Sequence, residues 1–358
     1  TIPDGISIIG VPEHSGMWEA KPGVKFRYSG SDKRFLRLIG TGGGYCGGII
    51  AGIEFQNYPT NPYVNTRICI SIWNTANLTI RNCQFMHFTI AVDMPSRRVD
   101  GSLSSGDPQY SRINDTGFRG NRCGIRFTQW YYNGRAKKQT DWDLCNVYFQ
   151  GPDPSYDAGP ADGSVAILKH IDDNEAGKTG GRMRLRNVHA NRYHRAFWLG
   201  RGSWYGDPVV MENTPRAWSG EARAALTDRF TLDGHEYIFP TNEVVGIYLG
   251  AAPLPAGQND SGSRFFLMGG GTFDKFVWTD APGNFIEFHG GLWGEAVNHN
   301  PGVPLFDPVG RSTLVRADGT GGGTDGWQMM EGLAFKVPTT RPAPPGCLWN
   351  DNGVLKLS

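Results

Sequence analysis

Residues 78–92 read LTIRNCQFMHFTIAV, and residues 111–125 read SRINDTGFRGNRCGI. Few letters agree, but the spacing does. In both stretches an apolar residue is followed two places later by Asn or Asp and five places later by Phe. A small and a β-branched residue then stand six and seven places after that Phe. A spacing that is kept while the letters change indicates a structural repeat, in which every unit presents the same positions to its neighbours.

The same frame occurs at five places in the chain. Its first apolar residues are Ile50, Ile80, Ile113, Leu144 and Leu185, so successive copies are 30, 33, 31 and 41 residues apart. Constant short segments that are joined by stretches of variable length predict a solenoid, with the insertions in its loops.

Period-two alternation within each frame predicts which side chains point inward. In the copy at 80–85, Ile80, Cys83 and Phe85 point inward, and Arg81 and Gln84 point outward. The polar residue between them turns a corner, because Asn, Asp and Gly tolerate left-handed backbone angles. The corner residues of the five copies are Gly52, Asn82, Asp115, Asn146 and Asn187.

This Asn-cornered frame resembles the right-handed parallel β-helix of the pectate-lyase-like superfamily over residues 5–295. Leucine-rich repeats also carry an Asn per repeat, but their L-x-x-L-x-L stretch is missing, and so is the blade signature of a propeller. We therefore expect an all-β protein with a single-stranded right-handed parallel β-helix over 1–300, which includes loop insertions. Residues 301–358 are expected to form a linker and a small β-hairpin region.

The C-terminal residues carry a second resemblance. Residues 317–326, ADGTGGGTDG, have the composition of a flexible spacer, and residues 338–346, PTTRPAPPG, that of an extended link. The tail that follows contains Asn-Asp-Asn-Gly at 350–353 between apolar runs, which predicts a hairpin. This ending looks like the C-termini of bacteriophage tail fibre and tailspike proteins.

The tailspike resemblance implies a homotrimer on a virion tail, where the protein binds and often cleaves a bacterial surface polysaccharide. It also implies a virion anchor that preceded Thr1; the alternative location is a secreted protein. The six cysteines lack metal-ligand spacing and fit folding in the reducing host cytoplasm. No cofactor or metal is expected.

Composition narrows the class of partner. The 358 residues include 50 Gly and 23 Pro and carry a net charge of +1. Such a Gly-rich chain fits a turn-rich all-β protein. The absence of a basic run argues against a nucleic-acid partner, and no apolar stretch reaches the length of a membrane span.

Because the inside of a β-helix is packed, its chemistry must lie on outward positions or in loops. The frame predicts that outward side chains stack from coil to coil in three ladders. These run through Thr79, Arg112, Asp143 and Arg184; through Glu54, Gln84, Gly117, Tyr148 and His189; and through Asp93, Arg126, approximately Lys169, and Trp198.

The arginines of these ladders have two interpretations. Arg112 and Arg184 form surface ion pairs with Asp143, or Arg112, Arg184 and Arg126 bind the carboxylates of an acidic sugar. In the second case β-elimination at a uronic acid also needs a base, for which Tyr148 and His189 are the candidates.

Hydrolysis of a glycosidic bond needs two carboxyl groups at roughly 5 to 9.5 Å. No pattern selects one pair, and a solvated acidic loop is the alternative for the loop cluster. The candidate carboxyl groups are those of Asp143, Glu54, Asp93, Asp172, Asp173 and Glu175.

Aromatic residues in or beside Gly-rich, polar stretches suit the C–H faces of sugar rings. They fit the surface between subunits equally well. The aromatic candidates for substrate binding are Trp130, Tyr131, Trp198 and Trp204.

Together these features predict a polysaccharide depolymerase, with glycoside hydrolysis favoured over lyase chemistry. The alternatives are a non-catalytic carbohydrate-binding receptor spike and a purely structural component of a virion or cell surface.

Overall fold

A computed structural model describes the chain in 21 segments. They are residues 7–10, 24–40, 47–63, 66–97, 100–102, 104, 108–132, 135–137, 141–152, 163–171, 182–199, 203–212, 229–239, 245–249, 264–269, 275–279, 285–289, 306–308, 313–317, 348–351 and 354–357. Every regular element in these segments is a β-strand. The protein is therefore all-β in its described part, as the sequence predicts.

Most strands belong to two long parallel sheets. The first has 13 strands: β1 (Ile8–Ile9), β2 (Val24–Tyr28), β4 (Gly48–Ala51), β5 (Ile53–Asn57), β7 (Leu78–Arg81), β8 (Gln84–Met86), β10 (Arg112–Arg119), β13 (Trp142–Gln150), β15 (Arg182–Asn191), β17 (Ser203–Glu212), β21 (Arg264–Gly269), β23 (Phe285–His289) and β25 (Thr313–Ala317). The second has 10: β3 (Arg34–Ile39), β6 (Ile68–Trp73), β9 (Ile90–Met94), β11 (Cys123–Tyr132), β12 (Arg135–Lys137), β14 (Val165–Ile171), β16 (Arg195–Leu199), β20 (Val245–Leu249), β22 (Lys275–Thr279) and β24 (Phe306–Pro308). Within these sheets only the β11–β12 pair of the described strands is antiparallel.

The chain alternates between the two sheets. In the first sheet the path runs β4-β7-β10-β13-β15-β17-β21-β23-β25, and in the second it runs β3-β6-β9-β11-β14-β16-β20-β22-β24. Successive passes along the chain therefore extend both sheets at the same end, and the passes through β4–β5 and β7–β8 add two short strands each to the first sheet.

The predicted inward positions lie in register. Ile50 pairs with Ile80, Ile80 with Ile113, and the row continues to Leu144 and Leu185. All five side chains of this row are buried. A second row stacks Phe55, Phe85, Phe118 and Phe149, with ring centroids 5.2, 5.1 and 4.7 Å apart in that order.

The predicted corners are confirmed by their backbone angles. The values of φ are 66° at Gly52, 51° at Asn82, 50° at Asp115, 54° at Asn146 and 50° at Asn187. The last three side chains also bond along the row. Asn146 Nδ2 donates to Asp115 Oδ1 at 3.0 Å, and Asn187 Nδ2 donates to Asn146 Oδ1 at 2.9 Å.

A hairpin that the sequence analysis did not identify covers part of the second sheet. Strands β18 (Arg229–Leu232) and β19 (His235–Ile238) pair across a turn at Asp233 and Gly234, both with positive φ. Its apolar side chains form a separate core cluster with outward residues of the sheet, among them Leu168 and Trp198.

Two further predictions can be compared with the strands. The C-terminal hairpin is confirmed, since β26 (Leu348–Asp351) pairs antiparallel with β27 (Val354–Leu357). The two long sheets extend past residue 300, because β24 and β25 are their last described strands. A domain boundary at 300 stays a prediction.

Candidate functional site

An open cleft of about 710 Å³ lies on the first sheet. Polar and aromatic side chains line it. They are Asn77, Tyr110, Arg112, Asp141, Trp142, Asp143, Arg182, Arg184 and Tyr205.

Strand register builds the centre of this cleft. Arg112 pairs with Asp143, Asp143 with Arg184, and Arg184 with Tyr205. Neighbouring strands of a sheet lie about 4.8 Å apart, so these four outward residues form one continuous row. The first predicted ladder is thus present, and it gains Tyr205 as a further member.

The charges of this row are only partly paired. Arg186 donates to Asp143 through Nε at 3.0 Å and Nη2 at 2.6 Å. These bonds and the charge of Asp143 raise the pKa of Arg186. Arg112 and Arg184 are exposed, and neither has an ion-pair partner within the described part of the chain. The predicted ion pairing of Asp143 is therefore made by Arg186, which sequence reasoning did not single out.

Two tyrosines border the cleft. Tyr110 and Tyr205 are each 46% exposed. The sequence analysis favoured Trp204 instead, but Trp204 is fully buried. It pairs with inward Met183, whereas Tyr205 pairs with outward Arg184. Extending the alternation of β15 to its neighbour would have identified Tyr205.

Two carboxylates line the cleft, Asp141 and Asp143. Asp141 stands just before β13, with φ of 55°, and its amide donates to the Arg182 carbonyl at 2.6 Å. Sequence reasoning missed Asp141 because the frame of inward and outward positions begins only after it.

The predicted base candidates are neighbours but lie elsewhere. Tyr148 pairs with His189, and their rings meet edge to face with centroids 5.0 Å apart. Both side chains are buried, although the frame places them outward. Asn191 Nδ2 donates to Tyr148 Oη at 3.4 Å. Neither residue lines the cleft.

The other described carboxylate candidates do not join Asp143. Glu54 lies on β5, three strands away from β13 through β8 and β10, which corresponds to about 14 Å. Its carboxylate pairs with Lys25 Nζ at 3.4 Å. Glu54 is therefore too distant to share a glycosidic bond with Asp143.

The third predicted ladder is present but covered. Asp93 binds Arg126 through two bonds of 2.7 and 2.9 Å, and both side chains are buried. Trp198 is 5% exposed, stacks on Tyr248 and packs against the tilted ring of Phe239. The expectation that these outward residues face solvent was wrong, because the β18–β19 hairpin packs over them.

The approximate position of Lys169 in this ladder was also wrong. Arg126 pairs with Leu168, and Leu168 pairs with Trp198. Lys169 instead pairs with inward Phe127 and is buried, with Nζ 5.4 Å from the centre of the Trp204 ring. An insertion precedes β14, so the number of residues in this coil differs from that in its neighbours. For this reason spacing alone could not fix the register of Lys169.

The remaining candidates fall outside what the structure describes. Asp172, Asp173 and Glu175 lie between the described ranges 163–171 and 182–199. Trp130 and Tyr131 belong to β11, where they pair with Lys137 and Ala136 of β12, but their side chains are not described.

The described residues contain no group of three His, Cys, Asp or Glu side chains that could hold a metal ion. No helix among them is long and apolar enough to cross a membrane. No protein-family model, no curated protein and no solved structure matches the chain.

Proposed function

We propose that the chain is a right-handed parallel β-helix of the tailspike type, whose cleft binds and depolymerises an acidic bacterial surface polysaccharide. The alternation of the chain between two parallel sheets supports the β-helix. The row of left-handed corners joined by Asn side chains supports it as well.

The observation that carries the functional proposal is the pair of exposed arginines in the cleft. Arg112 and Arg184 stand on either side of Asp143, so their strands are about 9.6 Å apart. That distance is comparable to the length of two linked sugar rings. Guanidinium groups bind carboxylates in a planar, bidentate way, and such a pair suits a polymer that repeats its acidic group along the chain.

The exposed tyrosines add the second feature of a sugar site. Tyr205 continues the row of Arg112, Asp143 and Arg184, and Tyr110 lies at its border. Aromatic rings offer an apolar face for the C–H groups of a sugar and a hydroxyl for its polar groups. A polysaccharide that lies across the strands would contact both kinds of side chain.

We assign cleavage in this cleft to the carboxyl groups of Asp141 and Asp143, which both line it. Hydrolysis requires one carboxyl group to protonate the leaving oxygen and another to act as nucleophile or base. Lyase chemistry remains the alternative on a uronic-acid polymer. It has weaker support, since Tyr148 and His189 are buried outside the cleft.

A second candidate function is binding without cleavage. The bidentate bond to Arg186 engages both oxygens of Asp143, which leaves less capacity for a role in bond cleavage. The same arginines and tyrosines would then serve a receptor-binding spike.

A homotrimer on a virion tail is part of either proposal. Light scattering of the purified protein tests whether it is a trimer.

The deciding experiment incubates the protein with purified acidic and neutral bacterial polysaccharides. New reducing ends without ultraviolet absorbance indicate hydrolysis, and both signals together indicate a lyase. Asp141→Asn and Asp143→Asn should each abolish hydrolysis while binding persists. Binding without either signal would establish the receptor-binding alternative, and binding of neutral polymers alone would refute the arginine argument.

Binding itself is tested through the arginines. Arg112→Gln and Arg184→Gln should each weaken binding of the acidic polymer by about tenfold or more, because a charged hydrogen bond contributes about 1.5–3 kcal/mol. Arg81→Gln is the matched control, as Arg81 is exposed and lies outside the cleft. An equal effect of all three substitutions would indicate non-specific attraction to a positive surface.

A further inference from the structure

A second, smaller cavity lies beside the hairpin on the other long sheet. Its volume is about 160 Å³. The charged side chains at its wall are Lys33, Arg34, Arg97, Arg126 and Asp233, with His235 beside them. We call it the basic pocket. It shares no lining residue with the arginine and tyrosine cleft.

One carboxylate occupies the centre of this wall. Asp233, at the hairpin turn, accepts from Arg126 Nη2 at 3.1 Å and pairs with Arg34 Nη2 at 3.5 Å and with Lys33 Nζ. The pocket therefore already holds one anionic group, which the fold itself supplies. The positive side chains of the wall are therefore arranged around carboxylate oxygens.

Positive charge nevertheless remains in excess among the described side chains of this wall. Arg126 is also paired with Asp93 beneath the pocket, and Asp233 is the one described carboxylate that lines the pocket beside Lys33, Arg34 and Arg97. The Arg34 side chain is only 14% exposed, so bulk water screens it weakly. Such a wall attracts a further anion, because partly buried charges of one sign are costly without counter-charge.

Arg97 is an exposed residue that lines the pocket. Its Nη1 donates to the Gly101 carbonyl at 3.1 Å, and within the described residues this is the one bond of its guanidinium. Its remaining N–H groups can therefore serve a ligand. The Lys33 side chain is 43% exposed and its Nζ carries three donors, so it can also reach an anion in the pocket.

We propose that the basic pocket binds a tetrahedral oxyanion, namely a phosphate or sulfate group. A cavity of this size holds one such group with several waters and has no room for a polysaccharide chain. The group comes either as a free ion or as a substituent on a sugar. This proposal does not depend on the function of the cleft.

The test measures binding of inorganic phosphate and sulfate to the full chain by calorimetry, together with the thermal midpoint. Chloride at equal ionic strength is the reference. Glucose 6-phosphate is measured as a phosphate group on a sugar, and glucose is measured as the same sugar without the phosphate. Arg97→Gln is the first variant, because it leaves the bonds of Asp233 intact, and Lys33→Gln is the second. Arg81→Gln removes an equal charge elsewhere on the surface.

The expected result is saturable phosphate binding that raises the thermal midpoint above that in chloride. Arg97→Gln should weaken it by about tenfold, and Arg81→Gln should not change it. Tighter binding of glucose 6-phosphate than of phosphate would assign the ligand to a phosphorylated glycan, and weaker binding would assign it to the free ion. No difference from chloride, or equal losses in Arg97→Gln and Arg81→Gln, would overturn the proposal.

Discussion

Replacing Asn146 by Ala tests whether the corner residues hold the coils together. Asn146 has φ of 54°, and it both donates to Asp115 and accepts from Asn187 along the corner row. Ala at this position meets two separate costs. Ala lacks the short polar side chain that helps Asn to tolerate the left-handed backbone, and both side-chain hydrogen bonds are lost.

The two costs can be estimated separately. A left-handed conformation costs Ala about 1–2 kcal/mol, of which Asn already bears a part. Each hydrogen bond contributes about 0.5–1.5 kcal/mol, and the low end applies here because both bonds are exposed. We therefore expect Asn146→Ala to lower the free energy of unfolding by about 2–3 kcal/mol at most.

Asn146→Gly separates the two terms. Gly accepts the left-handed angle without strain, so it should lose only the hydrogen bonds and a small entropic term, about 1–2 kcal/mol. Urea unfolding followed by tryptophan fluorescence gives both values. If Gly proves as damaging as Ala, backbone strain is not what selects Asn at the corner, and the reasoning fails.

Two further predictions concern the buried ion pairs beneath the hairpin. Asp93→Asn should destabilise the protein by about 3 kcal/mol, the low end of the range for a broken buried pair, because the Arg126 guanidinium loses its bidentate partner but keeps its bond to Asp233. A urea-unfolding cycle with Arg126→Met checks this by showing that the two losses do not add. Burial alone would raise the pKa of Asp233, but the positive charges of Arg126, Lys33 and Arg34 outweigh it and hold that pKa below its usual value. A lowered pKa in the folded state means that the stabilisation is complete above about pH 4 and is lost as the pH falls further. Asp233→Asn should therefore reduce stability at pH 7 and flatten the acid limb of a stability–pH profile, and an unchanged acid limb would contradict the assignment.

The repeat was predictable because it is enforced locally. Each coil repeats the same alternation and the same left-handed corner, so Asn82, Asp115, Asn146 and Asn187 could be aligned without a structure. Strand register follows from that alignment. For this reason the neighbours of Asp143, which line the cleft, were also found from spacing alone.

Contacts between distant segments were not predictable in this way. The hairpin at 229–238 covers Asp93 and Arg126, from which more than 100 residues separate it in the chain. Its own formation had a signal, since Asp233-Gly234 between apolar runs is a hairpin turn. Its docking site had none, because the sequence pattern marks Trp198 only as outward and not as covered.

The two long sheets therefore present different surfaces from the same pattern. On the second sheet, outward Arg126 and Trp198 are buried beneath the hairpin, where their bonds stabilise the fold. On the first sheet, outward Arg112, Arg184 and Tyr205 stay exposed. Within the described part of the chain neither arginine has an ion-pair partner, so both guanidinium groups are available to the acidic ligand that we propose. This local exposure, rather than the repeat itself, is the reason to test the cleft for polysaccharide binding.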